Sequence, residues 1–260
     1  MSERIVANNL DEVINKNAAI RDEMIEKALL IRTKWNRMQI SSSSQLAMQI
    51  LKGYGLIQIP LDNQYFSGAI FVKNDKKIPV INTALSRVNQ YFTAWHEIYH
   101  LIYSTVSSTY IIETETIMEE RKAEYFAALM LFGNLLPYYT ELSEMDFLSK
   151  IFNCIATFNA PYKAILISLY ESAIQIENTS LMSLIKENFD NSFSDLPDRF
   201  RKLGLDDSLV EPSYVINVGT LQSKIQERIK FDPELKYNHE NQNFLRNIVE
   251  EINLITSDNT

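Results

Sequence analysis

Five consecutive residues, His96-Glu97-Ile98-Tyr99-His100, constrain this chain more than any other stretch. Around them Phe92, Trp95, Tyr99 and Tyr103 recur at three- and four-residue steps, the period of a helix with one apolar face. Residues 87–103 are therefore expected to be helical, which puts His96 and His100 one turn apart on the same side. Two imidazoles at that spacing can reach one ion at about 2.0–2.1 Å, the bond length zinc takes to histidine nitrogen. Glu97 lies beside this face, where a carboxylate can serve as general base toward a metal-activated water. The chain holds only three histidines in 260 residues. Random placement would produce the pattern in roughly three of a thousand such chains.

A catalytic zinc commonly takes three protein ligands and keeps one position open. No third histidine is near, so carboxylates are the natural source. Residues 113–124 supply Glu113, Glu115, Glu119, Glu120 and Glu124, on or just before a second expected helix at 114–132. At about 100° per residue, Ile117, Glu120, Glu124, Ala127, Ala128 and Leu131 share one face, while Glu115 and Glu119 project elsewhere. A carboxylate on an inward, otherwise apolar face is costly unless paired or bound to metal. Glu120 is thus the expected third ligand. Glu124 is the expected orienting partner that accepts a histidine N–H and sets its tautomer. The reverse arrangement, with Glu124 as ligand and Glu120 as orienter, stays open on this reasoning.

Short β-type runs precede the first helix, at 56–59, 69–72 and 78–81, the last two flanking Asn74-Asp75-Lys76 as a hairpin turn. A long charged helix is expected at 10–35 and a short one at 45–52, after the four serines at 41–44. Further helices are expected at 145–157, 161–176, 221–229 and 243–255, with a strand at 214–218 and turns at 195–198 and 211–213. The fold class implied is α+β, mostly helical with a small β-sheet. Its parts are an N-terminal helical segment at 1–40, a central domain at 41–177 and a smaller C-terminal region at 178–260.

Composition narrows the function classes. Hydrophobic residues make up 46% of the chain, enough for a sizeable core. A net charge of −8 disfavours direct nucleic-acid binding and adsorption to anionic membranes. No apolar run approaches the about 18 residues of a membrane span, and the first residues lack the apolar core of a signal peptide. The expectation is a cytoplasmic protein with no membrane partner. Cys154 is the single cysteine and falls in an apolar run, so a buried structural thiol is expected. His239 lies in a polar stretch and reads as an exposed loop histidine. Arg199, Arg201 and Lys202 are flanked by acids and read as a solvated face. An oxyanion donor is also expected, with Tyr99, Tyr103, Tyr138, Tyr139 and His239 as candidates.

The run Tyr91-Phe92-Thr93-Ala94-Trp95-His96-Glu97-Ile98-Tyr99-His100 resembles the first motif of the ImmA/IrrE metallo-endopeptidases. Glu120-Arg121-Lys122-Ala123-Glu124-Tyr125-Phe126-Ala127-Ala128 resembles the second, with Glu124 standing where that family generally has asparagine. The proline that follows, Pro137, arrives later than in the family pattern. The likeness spans about residues 45–175. It implies a zincin-like domain holding Zn2+ on His96, His100 and Glu120, with Glu97 as base. It also implies a protein substrate, a helix-turn-helix transcriptional repressor of a mobile element or stress response. A different class of function fits the same residues: a regulatory protein that retains zinc and sequesters its partner without cleaving it.

Overall fold

Apolar periodicity becomes packing first along the chain's first long helix. In a computed structural model, which describes residues 5–35, 42–73, 76–104, 113–133 and 135–257, helix α1 (Leu10–Trp35) buries Leu10, Val13, Ile14, Asn17, Ile20, Met24, Ala28 and Ile31. These residues recur at three- and four-residue steps, interleaved with solvated charges. After α2 (Ser43–Gly53) come three strands, β1 (Ile57–Ile59), β2 (Gly68–Lys73) and β3 (Lys76–Asn82). Helices α3 (Arg87–Ile102) and α4 (Glu113–Leu131) follow, then α5 (Leu135–Glu141), α6 (Phe147–Phe158), α7 (Tyr162–Gln175) and α8 (Thr179–Asn188). The chain ends in α9 (Leu196–Lys202), α10 (Leu221–Phe231) and α11 (Lys236–Ser257). The architecture is α+β, mostly helical with one small mixed sheet.

The sheet order is β1-β3-β2, with β1 parallel and β2 antiparallel to the central strand. Ile57 pairs with Val80, and Ile70 with Pro79. The outer edge of β1 is closed by Asn217, which exchanges two backbone hydrogen bonds of 2.8 Å with Gln58. At the end of β3 the buried Asn82 side chain accepts from Leu61 N (2.9 Å) and Ala84 N (3.0 Å). It donates to the carbonyls of Leu61, Asn63 and Phe66 at 2.9–3.1 Å. One amide side chain thus holds the loop that delivers the chain to Gly68 and β2 beside α3.

Helix α3 packs on α2, α4 and the sheet, and α4 packs on α1. The α3–α4 contact is aromatic: the Phe126 ring lies 6.2 Å from Trp95, 5.7 Å from Tyr99 and 5.9 Å from Tyr103. Trp95 also donates its indole N–H to Ser43 Oγ at 3.1 Å, tying α3 to the serine-rich start of α2.

Several boundaries differ from the sequence reading. The expected turn at 195–198 is instead the start of α9, where Pro197 sits in the first turn and its missing N–H costs nothing. The same logic admits Pro137 near the start of α5, a helix the periodicity did not reveal. Residues 214–218 form a single bridge at Asn217 in place of a strand, because Tyr214 takes a left-handed φ of 48°. Helix α11 begins at Lys236, so His239 is an exposed helical residue, its Nε2 2.8 Å from Pro233 O. Of the expected hairpin turn, Asn74 and Asp75 lie outside the described residues.

Candidate metal centre

Helix α3 carries His96 and His100 one turn apart, and their Nε2 atoms stand 3.1 Å from each other. Helix α4 crosses α3 and brings Glu120 to the same point. Its Oε2 is 3.2 Å from His96 Nε2, and its Oε1 is 3.5 Å from His100 Nε2. One donor atom from each of the three residues lies within 4.8 Å of the others, a set that could hold a metal ion. The two histidines are mostly covered, with side chains 17% and 16% exposed, while Glu120 is 38% exposed and keeps the set open to solvent on one side.

Electrostatics sorts the three donors. Burial would lower the pKa of His96, but the hydrogen bond with Glu120 and the charges of Glu97, Glu120 and Glu124 outweigh it and raise the value. His100 goes the other way: burial, then its positive neighbour His96, pushes it down to about 4. Glu120 is held below the usual carboxylate range, chiefly by its hydrogen bond with His96. A neutral His100 and an ionised Glu120 are the protonation states a metal requires of its ligands.

Glu97 is buried on the next position of α3, and burial pushes its carboxyl up to about 7, with Glu120 adding to the rise and His96 opposing it. A carboxyl near neutrality suits a group that must both take and return a proton. Gly68 of the sheet lies beside it. A Cβ built there would meet Thr93 Cγ2 at 2.6 Å, Val80 O at 2.8 Å and Glu97 Oε1 at 3.2 Å. Only a residue without a side chain lets β2 pass so near α3. Sequence reasoning gave Gly68 no role; the signal was a glycine at the head of a β-type run, which can mark a close backbone approach.

Glu124 sits one turn beyond Glu120, and its Oε2 stands 2.7 Å from Arg121 Nη1 on its own helix. Glu119 faces away from the histidines, toward Tyr99 (OH 3.2 Å) and Lys122 (3.3 Å). The side chains of Glu113 and Glu115 lie outside the described residues. Of the oxyanion candidates, Tyr99 and Tyr103 donate their hydroxyl protons elsewhere, and the others have contacts of other kinds. Besides Tyr99 on Glu119, Tyr103 donates to Lys27 O at 3.0 Å, Tyr138 accepts from Thr157 at 2.8 Å, and the Tyr139 ring packs on Phe147 at 6.4 Å. Cys154 is fully buried and its thiol pushed up to about 12. Arg199 and Arg201 pair with Asp195, Asp198 and Asp207.

A second group of polar residues, invisible in the sequence, lies beyond Glu124. The buried Glu171 on α7 accepts from Tyr125 at 2.9 Å and from Asn17 at 3.4 Å, and forms an ion pair with Arg21. Among the described residues no helix is long and apolar enough to cross a membrane. Comparison with protein-family models, with curated proteins and with solved structures finds no match.

Proposed function

We propose that this chain is a zinc-dependent endopeptidase of zincin-like fold, with His96, His100 and Glu120 as metal ligands and Glu97 as the base. The observation that carries the reading is the convergence of His96, His100 and Glu120, one donor atom of each lying within 4.8 Å of the others. Tetrahedral ligands at bond lengths of 2.0–2.1 Å lie about 3.3–3.4 Å apart. Here the two histidine nitrogens are 3.1 Å apart, and the two oxygens of Glu120 stand 3.2 Å from His96 Nε2 and 3.5 Å from His100 Nε2, one oxygen to each. Two histidines and a carboxylate are a donor set that zinc takes at catalytic sites.

Zinc bound there would supply an acidified water and a polarised peptide carbonyl. The protein's own part is positional. Glu97 is placed beside the ligand face to take a proton from the attacking water and to pass it to the departing amine. Its raised pKa makes it a stronger acceptor for the water's proton than an ordinary carboxylate, while a value near neutrality still lets it give that proton up. The β2 strand, whose outer edge has no strand partner among the described residues, offers backbone groups to an extended peptide, and Gly68 brings its first residue within reach of Glu97.

The resemblance of the two motifs to the ImmA/IrrE metallo-endopeptidases supports a protein substrate, a helix-turn-helix repressor, cleaved in the cytoplasm. The test is incubation with a small helix-turn-helix repressor encoded beside this chain. Expected are new fragments whose appearance a chelator blocks, and a Glu97→Gln variant that retains zinc but loses cleavage by about 10²–10⁴-fold. Wild-type cutting by that variant overturns the assignment of the base. A stable complex without fragments overturns the endopeptidase reading in favour of sequestration.

A further inference from the structure

Between α1, α3, α4 and α7 lies a cavity of about 880 Å3, within the size range of small-molecule sites. Phe92 and Glu124 are in its wall, each one turn from a proposed metal ligand, His96 and Glu120 respectively. His96, Glu97, His100 and Glu120 do not line it. The cavity is open on one side and is lined by other residues than the proposed metal ligands and base.

Its wall has two characters. Phe132, Ile155, Ile167 and Phe193 give an apolar part. The polar part is the Glu171 group with Arg121 and Glu124. Within it the donors and acceptors do not balance. Glu171 is consumed by Arg21, Tyr125 and Asn17. Arg121, only 8% exposed, is left with Glu124: Nη1 stands 2.7 Å from the carboxylate without hydrogen-bond alignment, and Nε has no acceptor. Asn17 Oδ1 likewise has no donor. A buried cation with unused N–H groups is a costly arrangement, and an acceptor entering the cavity would relieve it by drawing the guanidinium, whose Nε and Nη1 are covered, toward the lumen.

We infer that this cavity is a binding site for an amphiphilic monocarboxylate, its apolar part against Phe132, Ile155, Ile167 and Phe193 and its carboxylate on Arg121. The planar fork of a guanidinium matches a carboxylate. A phosphate dianion would meet the repulsion of Glu124 and Glu171 in the same wall. The carboxylate can belong to a free acid or to an acidic residue of a bound peptide. The inference stands apart from the protease reading, because none of its residues is a proposed metal ligand or base.

The test is calorimetric titration of the full chain with decanoate, in the presence of a chelator so that binding to metal does not contribute. Decanol and decyl phosphate serve as comparison ligands. Expected is one site per chain, with decanol and decyl phosphate at least tenfold weaker. Arg121→Gln, which removes the charge, and Ser168→Leu, which fills the cavity from α7 while leaving Arg121 in place, should each weaken decanoate at least tenfold. Circular dichroism establishes that each variant is folded. Equal binding of decanol, unchanged affinity in either folded variant, or no binding of decanoate at millimolar concentration overturns the proposal. An acetylated apolar peptide with one glutamate separates the two sources: displacement of decanoate assigns the site to a peptide, and failure to displace assigns it to a free acid.

Discussion

Replacing Gly68 by alanine tests how the sheet and helix α3 are fitted together. The added Cβ would lie 2.6 Å from Thr93 Cγ2 and 2.8 Å from Val80 O. Carbon pairs settle at about 3.5–4.0 Å, so the first contact is short by roughly 1 Å and something must move. The Val80 oxygen is backbone of the central strand and cannot swing aside. Gly68 has no left-handed φ, so alanine is not excluded by its own backbone. On that ground alone Gly→Ala would stabilise by about 0.4–1 kcal/mol through the unfolded chain. Overpacking costs about 1–3 kcal/mol and outweighs it. With central values of about 2 kcal/mol lost and about 0.7 kcal/mol gained, the net is about 1.3 kcal/mol; at about 2–4 °C per kcal/mol for a chain of this size, Gly68→Ala should melt roughly 3–5 °C below wild type in a thermal unfolding scan. Thr93→Ser removes the methyl at the tightest contact, so the double variant should lose less than the two single losses added. A melting temperature within 1 °C of wild type, or strictly additive losses in the double variant, would refute the steric argument. If the strand shifts toward Glu97 Oε1, cleavage should fall as well, by up to about 10²-fold for a displacement near 1 Å.

Two further outcomes follow from burial. Cys154 is fully buried with its thiol pushed from 9.0 to about 12, so it should not react with a thiol reagent at pH 8 until denaturant is added. Because the folded state holds that proton more tightly than the unfolded one, this group's linkage leaves stability unchanged below about pH 9 and lowers it as pH rises toward 12; a Cys154→Ser chain showing the same alkaline loss would contradict it. Helix α10 buries none of its residues and packs on α11, so truncation after Thr220 should leave the melting temperature of the remainder within about 2 °C, as scanning calorimetry would show.

What could be read from the sequence was what repeats locally. The aromatic period around Phe92 and Trp95 gave α3, and the shared face of Glu120 and Ala127 gave α4, because a helix ties spacing directly to direction. The β runs and their turn chemistry gave the strands. The parts that stayed hidden depend on partners far apart in the chain. Glu171 gains its donors from residues about 150 positions away, Arg21 and Asn17, and nothing local marks it as buried. Gly68 looks like any turn glycine until α3 is packed against it. Pro197 reads as a turn because the same residue that ends one helix can open another, and only the following packing of Phe200 decides between them.

The choice between Glu120 and Glu124, which helical face geometry left open, can be decided by the same substitution at each. Glu120 Oε1 and Oε2 stand 3.5 and 3.2 Å from the two histidine nitrogens, so Glu120→Gln removes the proposed ligand and its charge while keeping the shape. Loss of even an outer partner typically costs 10–100-fold in metal affinity, and loss of a ligand should cost more than about 100-fold. Glu124 Oε2 is on Arg121 instead, so Glu124→Gln should leave zinc affinity within about tenfold of wild type. Its penalty should appear in stability. Breaking a fully buried pair costs about 3–5 kcal/mol. Arg121 is 8% exposed but the Glu124 side chain is 30% exposed, so solvent screening reduces the expected loss to about 1–3 kcal/mol. Competition with a chromophoric chelator reads the first quantity and urea unfolding the second. The two variants should therefore separate cleanly, one poor in metal and the other poor in stability. If Glu124→Gln loses the metal and Glu120→Gln keeps it, the roles are reversed. The Arg121 contact would then be a resting arrangement that metal binding breaks.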